Sequence, residues 1–190
     1  MRRGRRRAAV LAALLMAGTA ALSGAVPAAS AATKAVTACP TGWGSLPKSV
    51  TYNSHYSLTN IRTGQQDCYD RIVFDVPGAG STEVGYNAKY VDAFYADGSG
   101  NPIPVSGGAI LEIYVGAPSY NPNTGGVTYP ATSGKLLPGV NLTGYQTFRD
   151  AKYGASFEGT TQIGLGVRAR LPFRVFQLPD RVVVDVAHSW

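Results

Sequence analysis

One seven-residue segment occurs twice in the chain, and it constrains the fold more than any other feature. Residues 70–76 are DRIVFDV and residues 180–186 are DRVVVDV, so five of the seven positions are identical and two exchange one apolar residue for another. Both copies carry an apolar residue at every second position, which is the pattern of a β-strand with one buried face. The repeat therefore predicts an internally duplicated β fold.

The second face of each copy carries Arg, Val and Asp, a row that is complementary to itself when reversed. If the two copies are antiparallel neighbours in register, Arg71 faces Asp185, and the same register places Arg181 opposite Asp75. Opposite charges across a strand pair stabilise a sheet by roughly 0.2–1 kcal/mol. The alternative is that the copies occupy equivalent places in two half-domains without touching.

Residues 1–31 have the features of a cleaved secretory signal peptide. Five arginines lie among the first seven residues, the apolar segment 8–22 follows, and Ala29–Ala31 is an A-x-A cleavage pattern. An uncleaved anchor is the alternative, but the segment is short and rich in Ala for a membrane span. Ala25 stands where a lipoprotein signal needs Cys, so we expect a secreted protein with no membrane anchor after cleavage. The choice between general and twin-arginine export stays open.

Removal of the signal peptide changes the electrostatic argument. The formal charge of the whole chain is +6, but the remainder has twelve Lys and Arg against eleven Asp and Glu. The basic balance thus belongs to the signal peptide, and we expect no nucleic-acid partner.

Cys39 and Cys68 are the two cysteines of the chain. An even pair in a secreted protein favours a disulfide. The bond would tie an N-terminal arm, residues 32–59, to the start of the first repeat strand. The remaining residues, 60–190, form the predicted β domain.

The order of strand and turn patterns predicts an all-β protein. Short alternating segments are separated by turn signals at 8–12-residue spacing, which is typical of a sandwich or barrel, and we find no convincing amphipathic helix. Residues 60–66 are expected to form a loop and residues 103–105 a short edge strand. Residues 116–144 are rich in Pro and Gly and form a long loop whose exposed aromatic residues would be Tyr120 and Tyr129.

Catalytic and metal-binding patterns are weak. Asp185, His188 and Ser189 suggest a triad, but adjacent residues at a strand end point in opposite directions. The chain has no histidine pair or cysteine cluster with metal-ligand spacing, so we expect no metal and no cofactor. Paired carboxylates for glycoside hydrolysis remain an alternative, with four candidates: Asp67, Asp92, Asp150 and Glu158.

Three arginines are the best candidates for ligand contact. Arg168, Arg170 and Arg174 lie close in sequence, and the first two share a face if the strand at 161–169 continues regularly. Guanidinium groups bind carboxylate and phosphate bidentately, although strand-surface ion pairs are the commoner role. Tyr120 and Tyr129 could add stacking surfaces for sugars or peptides.

Several segments together resemble the AMIN-like domain of secreted actinobacterial proteins. The resemblance covers roughly residues 60–190 and rests on six segments: Cys68–Val76, Gly85–Asp92, Ser156–Gly159, Gly164–Arg168, Pro172–Val175 and Val182–His188. It implies a β-sandwich of two similar halves and a non-catalytic envelope module. The related AMIN domain of cell-wall amidases binds peptidoglycan. The resemblance assigns no catalytic or ligand residue.

We therefore expect a single β-sandwich with few or no helices. Its expected function is that of a secreted, cell-wall-associated binding module that is not an enzyme and that recognises peptidoglycan or cell-wall glycan. The alternative is an extracytoplasmic protein-interaction or assembly factor that uses the long loop. A carboxylate-based hydrolase is the weaker third hypothesis.

Overall fold

The computed structural model describes residue 39 and residues 42–51, 55–80 and 84–190. The predicted signal peptide lies outside the described residues. Nine strands form within the described part of the chain, which contains no helix: β1 Lys48–Val50, β2 Asn60–Gln65, β3 Tyr69–Asp75, β4 Tyr86–Val91, β5 Ala109–Val115, β6 Phe148–Phe157, β7 Thr160–Val167, β8 Phe173–Leu178 and β9 Arg181–Ala187. None of these residues belongs to a helix able to cross a membrane.

The strands form two antiparallel sheets. A five-stranded sheet has the order β1-β4-β5-β7-β6, and a four-stranded sheet has the order β2-β3-β9-β8. One core fills the space between them, with Phe74, Leu111, Phe148, Leu165 and Val184 almost fully buried. The predicted all-β sandwich is confirmed.

The two repeat segments are β3 and β9, and they are adjacent. Val73 lies opposite Val183, and Arg71 lies opposite Asp185, so the antiparallel register is the one predicted. Each repeat strand follows a hairpin partner, β2 for β3 and β8 for β9. A local two-fold axis between Val73 and Val183 therefore relates the two hairpins. The two similar halves lie side by side in one sheet.

Two secondary-structure predictions were wrong. Residues 60–65 were expected to form a loop but form β2, which is held by backbone pairing with β3. Their sequence is polar and has one buried residue, Ile61, so it lacks the alternating pattern that predicts a strand. Residues 103–105 form no strand, since Pro102 and Pro104 remove ladder donors, and only an isolated bridge joins Tyr95 to Pro102. The division at residue 59 stays a prediction; β1, which precedes it, pairs with β4.

Residues 93–106 cover the outer face of the five-stranded sheet, where Phe94, Ala96 and Ile103 form a small second core. Glycines on β7 permit this close approach. A Cβ on Gly166 would lie 1.9 Å from the Ser106 carbonyl oxygen, and one on Gly164 would lie 2.6 Å from Phe94. The five-stranded sheet is thus covered by its own chain.

Candidate binding face

The outer face of the four-stranded sheet is built by the alternating positions of β3 and β9 that point away from the core. Asp185 is fully buried although it lies on this face, because two arginine side chains cover it. Arg71 approaches from β3, with its Nε 2.6 Å from Asp185 Oδ1 and its Nη2 2.9 Å from Oδ2. This bidentate geometry is the strong form of an arginine–carboxylate pair.

A second arginine binds the same carboxylate. Arg174 lies opposite Asp185 on β8, and its Nε donates to Asp185 Oδ2 at 2.8 Å. The side chains of Arg71 and Arg174 remain 27% and 38% exposed. We call these three residues the Asp185 cluster. Its two guanidinium groups share one carboxylate, so the cluster carries a net positive charge.

Three aromatic rings surround the Asp185 cluster. The Arg174 guanidinium lies 4.4 Å from the Trp43 ring centroid, 5.4 Å from that of Tyr69 and 5.0 Å from that of Phe176. Trp43 and Tyr69 contact each other edge to face at 5.6 Å. Such rings orient a cation and offer flat apolar surface for a ligand.

The arm that carries Trp43 is fastened at two points. The Cys39–Cys68 disulfide joins it to the chain just before β3, which confirms the predicted pairing. The Gly44 carbonyl accepts a hydrogen bond of 2.9 Å from the Phe173 amide at the start of β8. The two fastenings lie on either side of Trp43 in the sequence and hold it over Arg174.

The hydrogen bond with Asp185 raises the pKa of Arg71, with burial opposing the shift. The guanidinium is therefore a permanent cation. Nη1 of Arg71 and both Nη atoms of Arg174 have no acceptor within the described part of the chain. These donors are available to an oxygen-rich anion.

A second cluster lies across the local two-fold axis. Arg62 on β2 binds Asp75 bidentately, with Nε 2.9 Å from Oδ2 and Nη2 3.0 Å from Oδ1. Arg181 lies opposite Asp75 in the ladder, but its Nε donates to the Pro179 carbonyl. The register of this pair was predicted correctly, whereas the expected Arg181–Asp75 ion pair does not form, because Arg62 takes the carboxylate. Arg62, Asp75 and Arg181 are called the Asp75 cluster.

The three arginines predicted from sequence are separated. Strand β7 ends at Val167, so Arg168 and Arg170 do not share a strand face; this corrects the expected regular strand. Arg168 donates to the His188 carbonyl. Arg174 alone of the three reaches the Asp185 cluster.

Arg170 lies over the Tyr90 ring at 5.2 Å and lines a groove of about 480 Å³. Asp92, Gly107 and Gly108 also line this groove. The Tyr90 hydroxyl is already used, since it donates to the Leu171 carbonyl at 2.8 Å and accepts from the Leu171 amide at 3.1 Å. The groove offers one cation, one carboxylate and the Tyr90 ring, over which Arg170 lies.

The two loop tyrosines differ in exposure. Tyr129 is 3% exposed, and its hydroxyl donates to the Pro138 carbonyl, so the expectation of an exposed ring was wrong. The ring belongs to the main core because the long loop folds onto it. Tyr120 is half-buried beside the isolated bridge to Val127. A binding role for Tyr120 stays a prediction.

The residues of the weak triad pattern bind different partners. Asp185 binds two arginines, whereas His188 Nε2 lies 3.1 Å from Oδ1 of Asp70. Asp70 is fully buried and accepts from the Thr147 and Phe148 amides at 2.6 and 3.1 Å. This pair holds the chain before β6 against the end of β9.

The described residues include no group of three or more His, Cys, Asp or Glu placed to hold a metal ion. Of the four candidate carboxylates for hydrolysis, Asp150 is buried and receives hydrogen bonds from the Ser106 and Ala151 amides. Asp92 lies in the groove with Arg170. The absence of a cofactor or metal in the working protein stays a prediction.

Most of the outer face was not predicted from the sequence as a candidate binding surface. Arg71 and Asp185 were predicted to pair, but as a structural contact. Arg174 was a candidate, whereas Trp43, Tyr69 and Phe176 were not. Tyr69 directly precedes the first repeat and lies on the same strand face as Arg71. The outward-facing positions in and beside the repeat were therefore the sequence signal that could have indicated this surface.

The family model of the AMIN-like domain matches residues 56–188 of the chain. No curated protein and no solved structure matches the chain significantly.

Proposed function

The chain belongs to the AMIN-like domain family, and we propose that it is a secreted, non-catalytic module that binds peptidoglycan or another cell-wall glycan. The family indicates an extracytoplasmic module related to the cell wall, and the disulfide agrees with that location. The proposed contact surface is the outer face of the four-stranded sheet, centred on the Asp185 cluster.

One observation carries the proposal: two guanidinium groups share a single buried carboxylate beside half-buried aromatic rings. Three guanidinium nitrogens of Arg71 and Arg174 lack an acceptor in the described chain. Their orientation is fixed, because Asp185 holds both Nε atoms. A ligand carboxylate or hydroxyl would meet donors that need little reorganisation.

The chemistry of peptidoglycan fits this surface. Its sugars offer flat apolar faces and hydroxyl groups, and its peptides offer carboxylates. Trp43 and Tyr69 supply rings against which a sugar can pack, and Arg174 lies beside both rings. Arg170, Arg168 and Tyr120 lie elsewhere and are proposed, at most, as secondary contacts.

Co-sedimentation with insoluble peptidoglycan tests the function. We expect the purified exported protein to sediment with the polymer, and to do so still at about 0.3 M salt, where long-range attraction is screened. A protein that stays in the supernatant at both low and moderate salt would overturn the proposal.

A second candidate is a protein-interaction factor that uses the long loop. Two large apolar side chains of this loop are exposed, Val127 at 73% and Leu136 at 61%. The loop is otherwise fixed, since Thr128 donates to the Leu58 carbonyl. A Val127→Ser, Leu136→Ser variant that loses cross-linking to envelope proteins, with wall binding unchanged, would favour this function.

A further inference from the structure

The outer face of the four-stranded sheet carries nearly the same charge arrangement twice. The local two-fold axis between β3 and β9 exchanges Asp185 with Asp75 and Arg71 with Arg181. In each half, two arginines accompany one aspartate. The two clusters together hold four arginines and two aspartates, so this one surface has an excess of two positive charges.

The excess contrasts with the rest of the chain. Beyond the predicted signal peptide, twelve Lys and Arg stand against eleven Asp and Glu. The net charge of that part is thus nearly zero, and the positive charge is concentrated on the outer face. Concentrated charge of one sign guides anionic ligands to a surface.

Both clusters retain unused donors. Both Nη atoms of Arg174 and both Nη atoms of Arg181 have no acceptor within the described residues, since only their Nε atoms donate. The Asp185 side chain is fully covered, whereas that of Asp75 is 21% exposed. In each ion pair of the face, the arginine is more exposed than its aspartate.

The distance between the clusters follows from the strand. Arg71 and Asp75 are four residues apart on β3 and point to the same side. At about 3.4 Å per residue, the backbone positions of these two residues are about 13–14 Å apart. Val73 and Val183 lie between them in the ladder, and both are buried, at 4% and 1% exposed.

We infer that this face binds an anionic wall polymer at two points at once, through carboxylate or phosphate groups about 13–14 Å apart. The inference rests on the proposed function and assigns its ligand chemistry. One anionic group binds Arg71 and Arg174, the other binds Arg62 and Arg181, and the intervening part of the polymer crosses the side chains that cover Val73 and Val183. Two-point binding raises the effective concentration of the second group.

Charge-neutral variants test the two points. In the Arg174→Gln variant, Arg71 still binds Asp185. In the Arg181→Gln variant, Arg62 still binds Asp75. Each is expected to weaken binding to insoluble peptidoglycan about tenfold, the effect of losing one charge-assisted hydrogen bond. Lys135→Gln, an equal charge change at an exposed loop position, is the matched control and should bind like wild type. Wild-type affinity of Arg181→Gln would overturn two-point binding and leave the proposed function standing.

Chemical treatment of the wall separates the sources of negative charge. One preparation has its carboxylates amidated, and a second has its phosphate-containing polymers removed by acid. Loss of at least tenfold in affinity on the first assigns carboxylates, and the same loss on the second assigns phosphates; either supports the inference. Undiminished binding to both preparations would overturn the inference alone. Failure to bind any preparation, untreated wall included, would overturn the proposed function and the inference together.

Discussion

Arg71 and Asp185 are 114 residues apart in the sequence and form a bidentate ion pair across the centre of a sheet. The pair joins the two repeat strands, β3 and β9. Arg174, on the adjacent strand β8, binds the same carboxylate. Because Asp185 is fully buried, removal of either arginine leaves a carboxylate with fewer partners. The same contact that fixes the sheet also orients the candidate binding surface.

A double-mutant cycle on Arg71→Ala and Asp185→Asn should therefore show strong coupling. We expect a coupling of about 1–3 kcal/mol in the free energy of unfolding, the upper part of the range for residues that share a hydrogen-bonded network. Chemical denaturation of the four proteins measures it. The matched cycle on the more exposed pair Arg62 and Asp75 should give only about 0.2–1 kcal/mol. Equal coupling in the two cycles would contradict the burial argument.

The pairing of the repeats was predictable because each strand carries the complement of the other. A reversed Arg, Val, Asp row has one register that places unlike charges opposite, and β3 and β9 adopt it. Strand β2 was not predictable in this way. Only Ile61 is buried along it. Its conformation therefore depends on pairing with β3, and the local sequence pattern does not predict that pairing.

The Cys39–Cys68 disulfide should stabilise the protein mainly by restricting the unfolded chain. Its cysteines are 29 residues apart. The double change Cys39→Ser, Cys68→Ser is expected to lower the free energy of unfolding by about 3–4 kcal/mol. Denaturant titration measures this change.

Loss of the disulfide should also release the arm that holds Trp43 over Arg174. We expect the Trp43 fluorescence to shift toward that of a solvated ring, with the Trp190→Phe background removing the second indole signal. An unchanged emission spectrum in the double serine variant would show that the Gly44–Phe173 hydrogen bond alone holds the arm.

Gly166 should tolerate no side chain. A Cβ there would lie 1.9 Å from the Ser106 carbonyl oxygen and 3.0 Å from Asp150 Cβ. Gly166→Ala is expected to cost about 3 kcal/mol or more, since a backbone segment must move. Gly126→Ala is the control, with Thr124 Oγ1 at 3.4 Å as its nearest contact, and should change stability by less than about 0.5 kcal/mol. Similar thermal midpoints for both variants would contradict the packing of residues 93–106 on β7.

Alkaline pH should destabilise the fold through its partly buried phenols. Burial raises the pKa of Tyr90 to about 12, and that of Tyr114 to about 12. The unfolded chain ionises these groups near pH 10, so between pH 10 and 12 it loses protons that the folded chain retains. The free energy of unfolding therefore falls as pH rises through this window.

Tyr90→Phe should make that fall shallower, by up to roughly 2–3 kcal/mol across the window. Urea titrations at pH 9, 10, 11 and 12 measure the slope. Tyr95→Phe, at a ring that is 52% exposed, is the matched control and should keep the wild-type slope. The wild-type slope in Tyr90→Phe would show that this phenol does not contribute.

Less of the candidate binding surface than of the fold was predictable from the sequence. Arg168, Arg170 and Arg174 are neighbours in the chain, but the end of β7 at Val167 and the start of β8 at Phe173 direct them to different places. Trp43 reaches Arg174 only because the disulfide and the Gly44 contact fold the arm back. The contact between Trp43 and Arg174 depends on tertiary structure, and the spacing of these residues in the sequence does not predict it.

Two tryptophan variants, compared in the peptidoglycan sedimentation assay, test whether the outer face binds the polymer. Trp43 lies over Arg174 on the outer face, whereas Trp190 is 64% exposed and donates to the carbonyl of Arg170, beside the groove. We expect Trp43→Ala to lose most of its sedimented fraction and Trp190→Ala to sediment like wild type. Wild-type sedimentation of Trp43→Ala, with loss in Trp190→Ala, would contradict this expectation and place recognition at the groove.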